Sequence, residues 1–294
     1  MKLYGIIGFP VGHTASPPMQ MAAFRAIGEL GSVYMPFETS PNRLKEVVRS
    51  FRVLGIQGFN VTIPHKEKVC RFLDVIQPEA AMIGAVNTVK NIDGRLHGYN
   101  TDAGGFIQSL KEDLHFAARN KNCLVIGAGG AGRAVSFALA KAGVGAIYIT
   151  DLDDARAAAL AKNIRTWFPK KNVDSIKKGG SVNFDPFVQP KGAAKRKGHD
   201  EIDLIVNATP IGMKSTDPFP VNPSILHRGL SVYDVIYTPS PTKLVKKARS
   251  MGIPAVNGLG MLLYQGAIAF SIWTGRPAPV TEMRKALLRH IHKR

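Results

Sequence analysis

A glycine-rich turn between an apolar strand and a long helix is the feature that most constrains the fold. The segment "CLVIGAGGAGRAVSFALAKAG" places G-x-G-x-x-G at Gly127, Gly129 and Gly132, after a strand-like run and before a helical one. The first glycine permits a tight turn, the second lets the backbone approach a pyrophosphate, and the third lets helix and strand pack closely. The pattern favours a dinucleotide-binding βα unit, with phosphates at the helix N-terminus, over an ordinary glycine turn. The other turn residues of this predicted cofactor site are Ala128, Gly130 and Ala131.

An acidic residue follows at the end of the next predicted strand. The run "YITDLD" places Asp151 where the fingerprint expects a carboxylate that accepts hydrogen bonds from ribose hydroxyls. A carboxylate there would repel a 2′-phosphate, and Leu152 beside it offers no cation. Arg156 is close enough in sequence to reach a phosphate. The pattern therefore favours NAD(H) and leaves NADP(H) open, although an exposed acidic helix start is compatible with the same residues.

Two successive runs of strand and helix signals indicate two α/β domains in the 294 residues. In the first run, "LYGIIGFP", "SVYMPFET" and "GFNVTIP" are strand-like, a helix is expected from about His65, and Asp93-Gly94 marks a hairpin turn. The second run begins at the glycine turn, and apolar helices close the chain. The predicted domains are a substrate domain over 1–103 and 257–294 and a Rossmann-like domain over 104–256.

The formal charge of +18 raises nucleic acid as a partner. Much of the excess lies in residues 165–180, 190–200 and 284–294, which resemble a surface insertion and a C-terminal helix. These runs lack the interleaved aromatic residues of a single-strand binding platform. We therefore expect a solvated basic face that attracts anionic small molecules, and no nucleic acid as the main partner.

Apolar runs and cysteines give only weak indications of location. No apolar run is long enough to cross a bilayer, because Gly260, Gln265 and Gly266 interrupt the longest one. The two cysteines, Cys70 and Cys123, have no metal-site or disulfide spacing, and we expect them to be buried apolar side chains. A cytoplasmic protein without a metal site is expected, as a monomer or a homodimer.

Eight motifs in one order along the chain resemble the shikimate dehydrogenase family, which includes the quinate/shikimate dehydrogenases. They are "GFPVGHTASPPM", "NVTIPHK", "GAVNT", "GYNTD", "GAGGAGRA", "NATPIGM", "DVIYTPSPTKL" and "NGLGMLLYQGAIAFSIWTG". The resemblance implies an N-terminal substrate domain, a nucleotide domain, and C-terminal helices that pack back on the first. It also implies reversible NAD(P)-dependent reduction of 3-dehydroshikimate to shikimate. Only the basic insertion around 170–197 lies outside the pattern.

The resemblance assigns the catalytic pair to Lys66 in "NVTIPHK" and Asp102 in "GYNTD". Oxidation of a carbinol removes a hydride from carbon and a proton from oxygen, so a proton-transferring group must lie within hydrogen-bond reach. Our hypothesis is that Lys66 transfers the proton while Asp102 orients it and binds the same hydroxyl. Sequence position alone would favour a solvated helix residue at Lys66, as we expect for Lys68.

The resemblance also implies the substrate contacts. It places two hydroxyl residues, commonly both Ser, against the substrate carboxylate; here they are Thr14 and Ser16, the second also suited to capping a helix before Pro17. The Thr14 methyl leaves quinate open as a substrate. Tyr237 and Gln265 match residues that close over the substrate from the other domain. Polar strand ends that match ring-hydroxyl contacts are Asn60, Thr62 and Asn87.

The nicotinamide side of the predicted cofactor site follows from the same resemblance. For Val235 and Met261 an apolar core position is an equally good reading. The matching residues are Asn207, Ala208, Thr209, Val235, Gly258 and Met261. Besides a dehydrogenase that prefers shikimate or quinate, the sequence leaves a basic nucleic-acid binder and a non-catalytic sensor of these acids as alternatives. Lys66 and Asp102 argue against the sensor.

Overall fold

The computed structural model describes residues 1–177 and 202–292, which form two compact units. The first unit comprises Met1–Phe106 with Met261–Arg294, and the second comprises Ile107–Gly260. The divisions predicted from the sequence lie after residues 103 and 256. Both units are layered α/β structures, which confirms the predicted fold class.

The first unit is built on a mixed six-stranded sheet of order β2-β1-β3-β5-β6-β4. Strands β2 and β3 flank β1 in parallel, whereas β5 runs antiparallel to β3 and to β6. Since β1 and β3 are parallel, their carboxyl ends meet at one edge, where Lys66 and the first loop begin. The elements are β1 (Lys2–Gly8), α1 (Ser16–Ala26), β2 (Ser32–Glu38), α2 (Leu44–Val53), β3 (Gly58–Val61), β4 (Val75–Ile76), α3 (Pro78–Ile83), β5 (Thr88–Ile92), β6 (Arg95–Tyr99), the first part of α4 (Asp102–Glu112), most of α8 (Leu259–Thr274), and α9 (Val280–His292).

The second unit is built on a six-stranded parallel sheet of order β12-β11-β10-β7-β8-β9. The chain order reverses between β7 and β10, which is the position where doubly wound sheets bind ligands. Asn207 and Ile126 pair in register there, so Gly127 and Ala208 follow at neighbouring strand ends. The elements are β7 (Asn122–Ile126), α5 (Gly130–Lys141), β8 (Ala146–Thr150), α6 (Asp154–Trp167), β9 (Asn172–Ser175), β10 (Leu204–Asn207), β11 (Ser231–Asp234), α7 (Lys243–Ser250) and β12 (Ala255–Asn257).

Each sheet is covered by buried apolar side chains. In the first unit Phe51 and Phe59 meet edge to face, with ring centroids 5.1 Å apart, inside a cluster that continues to Leu96. In the second unit Leu124 and Val232 lie in a separate fully buried cluster. These cores fix the strand ends from which the polar site residues project.

The predicted helix from about His65 is wrong. The chain instead turns at His65, whose amide donates to the Thr62 carbonyl, and forms a 3₁₀ helix at Lys68–Phe72. The Lys66 carbonyl accepts from the Val86 amide at 2.8 Å, so it is paired outside any helix. The predicted hairpin turn is confirmed, because Asp93 and Gly94 both have positive φ between β5 and β6.

Three further expectations concern the basic insertion, the two cysteines and membrane-spanning helices. The basic insertion lies mostly at 178–201, outside the described residues. Cys123 is buried as predicted, but Cys70 is only half-buried, and neither forms a disulfide. In the described ranges, no helix is long and apolar enough to span a bilayer.

Candidate active site

Lys66 and Asp102 form a close ion pair in the first unit. Lys66 Nζ lies 2.7 Å from Asp102 Oδ2, and the side chains are only 15% and 5% exposed. The lysine comes from the turn after β3, and the aspartate is the first residue of α4. The fold therefore brings together the two residues that the sequence assigned to proton transfer, 36 positions apart.

The Asp102 carboxylate is also held from its other oxygen. Asn87 Nδ2 donates to Asp102 Oδ1 at 2.9 Å and lies 3.2 Å from Gln265 Oε1. Asn87 Oδ1 accepts from the Thr101 amide at 2.7 Å. Since Asn87 is 2% exposed and satisfied on both sides, its main effect in this structure is to fix Asp102 and Gln265.

The two hydroxyl residues of the first loop contact each other. Thr14 Oγ1 donates to Ser16 Oγ at 3.2 Å and accepts from the Ser16 amide at 3.3 Å. Ser16 is the first residue of α1, and its amide donates to the Thr14 hydroxyl. The N-cap residue of this helix makes no side-chain capping hydrogen bond within the described part of the chain, so the expected capping role of Ser16 is wrong. The two hydroxyls therefore lie next to each other in the segment before α1.

Gln265 lies in the first unit, in agreement with the predicted domain bounds, although the resemblance had placed its contact in the other domain. Most of α8 belongs to this unit, where the Gly266 carbonyl accepts from Gln20 Nε2 at 2.9 Å. Farther along the helix, Trp273 Nε1 donates to the Val89 carbonyl. Tyr237 belongs to the second unit and is half-buried, whereas Thr62 is half-buried at the end of β3.

The glycine turn of the second unit has the tight geometry that its sequence predicts. Gly127 has a φ of 105°, and a Cβ built on Gly132 would lie 1.8 Å from the Gly127 carbonyl oxygen. At Gly129 a built Cβ meets only Arg156, at 3.7 Å. The turn is thus closed between helix and strand but open at Gly129, where a pyrophosphate is expected to approach. The residues present fit a dinucleotide.

Asp151 is hydrogen-bonded to the same turn. Its Oδ2 accepts from the Ala128 amide at 2.7 Å, and its Oδ1 accepts from the Asp153 amide at 3.0 Å. Asp153, in turn, caps α6 by accepting from the Ala155 and Arg156 amides. Each carboxylate oxygen of Asp151 keeps a further lone pair, so ribose hydroxyls retain acceptors at this position.

The residues after β10 are held by a buried carboxylate. Asn207 Oδ1 accepts from Thr209 Oγ1 at 2.7 Å, and its Nδ2 donates to Asp234 Oδ1 at 3.0 Å. Asn207 is fully buried, and the second Asp234 oxygen accepts from Thr242 at the start of α7. A Cβ on Gly258 would lie 1.9 Å from the Val235 carbonyl oxygen, so these two predicted nicotinamide-side residues are also in direct contact.

Comparison with known proteins decides the family. Residues 6–89 match the shikimate dehydrogenase substrate binding domain, and residues 258–288 match the shikimate 5′-dehydrogenase C-terminal domain. A shikimate dehydrogenase (NADP(+)) of Methanopyrus kandleri is 42% identical over 292 residues, covering 99% of this chain and 96% of its own length. The chain belongs to the shikimate dehydrogenase family.

Solved structures of the family have the same fold as this chain. A shikimate dehydrogenase solved with NADP⁺ has a TM-score of 0.85 and 39% identity, with 99% of this chain and 96% of that one covered. A quinate dehydrogenase of Corynebacterium glutamicum solved with NAD has a TM-score of 0.83 and 32% identity, with 98% and 99% covered. The predicted family, fold and NAD(P)-dependent dehydrogenase class are therefore confirmed.

Sequence reasoning missed several residues that organise this family member's polar site. Tyr34 and Thr88 are buried within strands and hydrogen-bond to Asn60, and Thr101 bonds to Asn87. Thr101 had a signal, since it lies in "GYNTD". Tyr34 had none, because a strand tyrosine with a buried hydroxyl has the same sequence pattern as one packed in an apolar core.

Met261, predicted at the nicotinamide, is buried and belongs to the first unit. No group of three or more metal-binding side chains is found among residues 1–177 and 202–292.

Asp234 should make the stability of this protein fall as pH rises through the mildly acidic range. Burial raises the pKa of its carboxyl from 3.8 to about 6, despite the three hydrogen bonds it accepts. The folded state then binds a proton that the unfolded state releases between the two pKa values, so raising the pH across that window costs about 2 to 3 kcal/mol. The isosteric Asp234→Asn variant should lose this dependence. Urea unfolding of both proteins at pH 4.5, 5.5 and 7.5 measures the difference; parallel profiles would contradict it.

Proposed function

We propose that this protein is a shikimate dehydrogenase that interconverts shikimate and 3-dehydroshikimate with NAD(P). The observation that carries the proposal is the Lys66–Asp102 pair, 2.7 Å apart and largely buried, in a chain of this family. A nearly buried cation and carboxylate beside polar strand ends are suited to a reaction that moves one proton at a hydroxyl. A non-catalytic sensor would not need this pair.

The ion pair accounts for the proton in both directions. When bound, the nicotinamide supplies or accepts the hydride. During reduction Lys66 Nζ donates its proton to the ketone oxygen, and during oxidation it accepts the proton from the hydroxyl. Asp102 orients the lysine through Oδ2 and is itself fixed through Oδ1 by Asn87. Fixing the carboxylate from both oxygens preorganises the site for the reacting hydroxyl.

The substrate carboxylate is proposed to bind the first loop. Thr14 and Ser16 present adjacent hydroxyls on the segment that precedes α1. Asn60 is only 4% exposed, and both of its amide hydrogens are directed at protein acceptors, so it offers a ring hydroxyl only its oxygen. Further proposed contacts to ring hydroxyls come from Thr62, Asn87, Tyr237 and Gln265.

The cofactor preference proposed here is NAD(H), with NADP(H) as the competitor. Curated relatives carry the name shikimate dehydrogenase (NADP(+)), so the proposal rests on the local residues of this chain. The segment 151–154 reads Asp-Leu-Asp-Asp and supplies carboxylates where a 2′-phosphate would need cations. Arg156 lies against Gly129, beside the expected pyrophosphate, and supports either cofactor.

Quinate is the second candidate substrate. It is favoured by Thr14, because related enzymes differ in this loop, and by the similarity to a quinate dehydrogenase solved with NAD. Shikimate stays the first candidate because the curated relatives at about 40% identity are named for it. A cytoplasmic monomer or homodimer stays a prediction.

Steady-state kinetics with shikimate and quinate, each against NAD⁺ and NADP⁺, test the proposed function. We expect kcat/KM to be highest for shikimate with NAD⁺ and at least about tenfold lower with NADP⁺, since like charges in contact cost several kcal/mol. Replacing Asp151 with asparagine should narrow the ratio between the two cofactors. The matched control Arg156→Ala should weaken both cofactors together. A strong NADP⁺ preference in the wild type would overturn the role given to Asp151.

A further inference from the structure

A buried tyrosine lies at the centre of the polar network of the first unit. Tyr34 of β2 is 2% exposed, and its ring lies 6.0 Å from that of Trp273. Its hydroxyl donates to Asn60 Oδ1 at 2.7 Å. The phenol of β2 therefore reaches across β1 to a residue of β3. Asn60 is a proposed substrate contact.

The direction of the bond to Asn60 is fixed by chemistry. Burial raises the pKa of the Tyr34 phenol well above its usual value, so the group keeps its proton at any working pH. Asn60 Oδ1 can only accept, and its Nδ2 donates to the Asn87 carbonyl at 3.2 Å and to Thr88 Oγ1 at 3.0 Å. The Asn60 carboxamide therefore has one orientation, set by Tyr34 on one side and by Thr88 on the other.

The network continues from Asn60 to the catalytic pair. Thr88 Oγ1 lies 3.2 Å from Thr101 Oγ1, which accepts from Asn87 Nδ2 at 2.9 Å. Asn87 then holds Asp102 Oδ1. Each member is buried, and a buried network of this kind fixes its members only while every link is made.

We propose that Tyr34 is a positioning residue for the substrate, a role that rests on the proposed function. Its hydroxyl fixes the orientation of the Asn60 carboxamide, and so holds the Asn60 oxygen at the strand end that is proposed to bind ring hydroxyls. Tyr34 itself is too deeply buried to be the main contact for a ligand. Its effect is on substrate affinity, and the cofactor site of the second unit does not depend on it.

The test compares Tyr34→Phe with Tyr4→Phe. Tyr4 is the residue directly opposite Tyr34 in β1, is equally buried, and stacks on Phe24, so it is a matched control without the bond to Asn60. We expect Tyr34→Phe to raise the KM for shikimate about tenfold, because a buried acceptor loses its donor. The KM for NAD⁺ or NADP⁺ should be unchanged in both variants. Equal effects of the two variants on the shikimate KM, or an equal rise in the cofactor KM, would overturn the proposal.

A double variant and a spectroscopic label separate positioning from general damage. In the Asn60→Ala background, Tyr34→Phe should add little; a full additional tenfold rise would show that Tyr34 does not act through Asn60. If Tyr34→Phe does not fold, 3-fluorotyrosine at position 34 replaces it. We expect its ¹⁹F resonance to shift with shikimate and not with NAD⁺ alone, and an unchanged resonance would overturn the proposal. Wild-type turnover of shikimate tests the proposed function separately, since the ¹⁹F shift reports binding without turnover.

Discussion

Replacing Lys66 with alanine should lower kcat for shikimate oxidation by about 10²- to 10⁴-fold, the contribution of one positioned acid–base group. Among residues 1–177 and 202–292, Lys66 is the only hydrogen-bond partner of Asp102 Oδ2, at 2.7 Å. Its removal takes away the proton-transferring group and leaves a nearly buried carboxylate without its cation. Initial rates with saturating shikimate and cofactor measure the loss.

Lys68→Ala is the matched control for this variant. Lys68 is two positions along the same segment and is exposed at the start of the 3₁₀ helix, so its loss should leave kcat within about twofold. The isosteric variant Asp102→Asn should lower kcat as much as Lys66→Ala does if the two residues act as one unit. Near-normal turnover by Lys66→Ala would reject the proton-transfer role.

Replacing Gly132 with alanine should destabilise the second unit and abolish cofactor binding together. The added methyl would lie 1.8 Å from the Gly127 carbonyl oxygen, so helix α5 must move away from the strand end. Forcing one methyl into such a contact costs about 3 kcal/mol. The moved helix N-terminus then no longer presents its N–H groups to the phosphates. Urea unfolding and fluorescence titration with NADH and NADPH measure both effects.

Gly129→Ala provides the contrast within the same turn. Its backbone, at φ −77° and ψ −170°, suits alanine, and the built Cβ meets only Arg156 at 3.7 Å. Stability should therefore stay within about 0.5 kcal/mol of wild type. The cofactor KM should still rise about tenfold or more, because the methyl occupies the approach of the pyrophosphate. Unchanged cofactor binding in this folded variant would contradict the assignment of the turn.

The tertiary structure adds the hydrogen-bond partners of two predicted substrate-binding residues. Asn60 and Asn87, which are proposed to contact the substrate, are almost fully buried and direct their amide hydrogens at protein acceptors. An asparagine at a strand end has the same sequence signal whether its amide faces a ligand or a neighbouring strand. The difference depends on which strand lies beside it, and β5 pairs with β3 only after the chain has folded.

Local chemistry explains what the sequence by itself determined. The apolar run, the glycine spacing and the acidic residue follow one another within about thirty residues of the chain. Their steric and electrostatic effects therefore predict a dinucleotide-binding turn without knowledge of the rest of the fold. The same holds for the hairpin at Asp93-Gly94, where positive φ is a property of those two residues. The order of motifs along the chain then indicated the family and its catalytic pair.

Long-range packing decided the remainder. The Lys66 carbonyl is paired with Val86, which makes the segment after β3 a turn where local signals predicted a helix. Most of α8 belongs to the first unit, so Gln265 reaches Asn87 across 178 residues of sequence. Tyr34 reaches Asn60 because the sheet order places β2 and β3 on either side of β1. Hydrogen-bond partners in a buried polar network are chosen by strand order and register, which local sequence patterns do not specify.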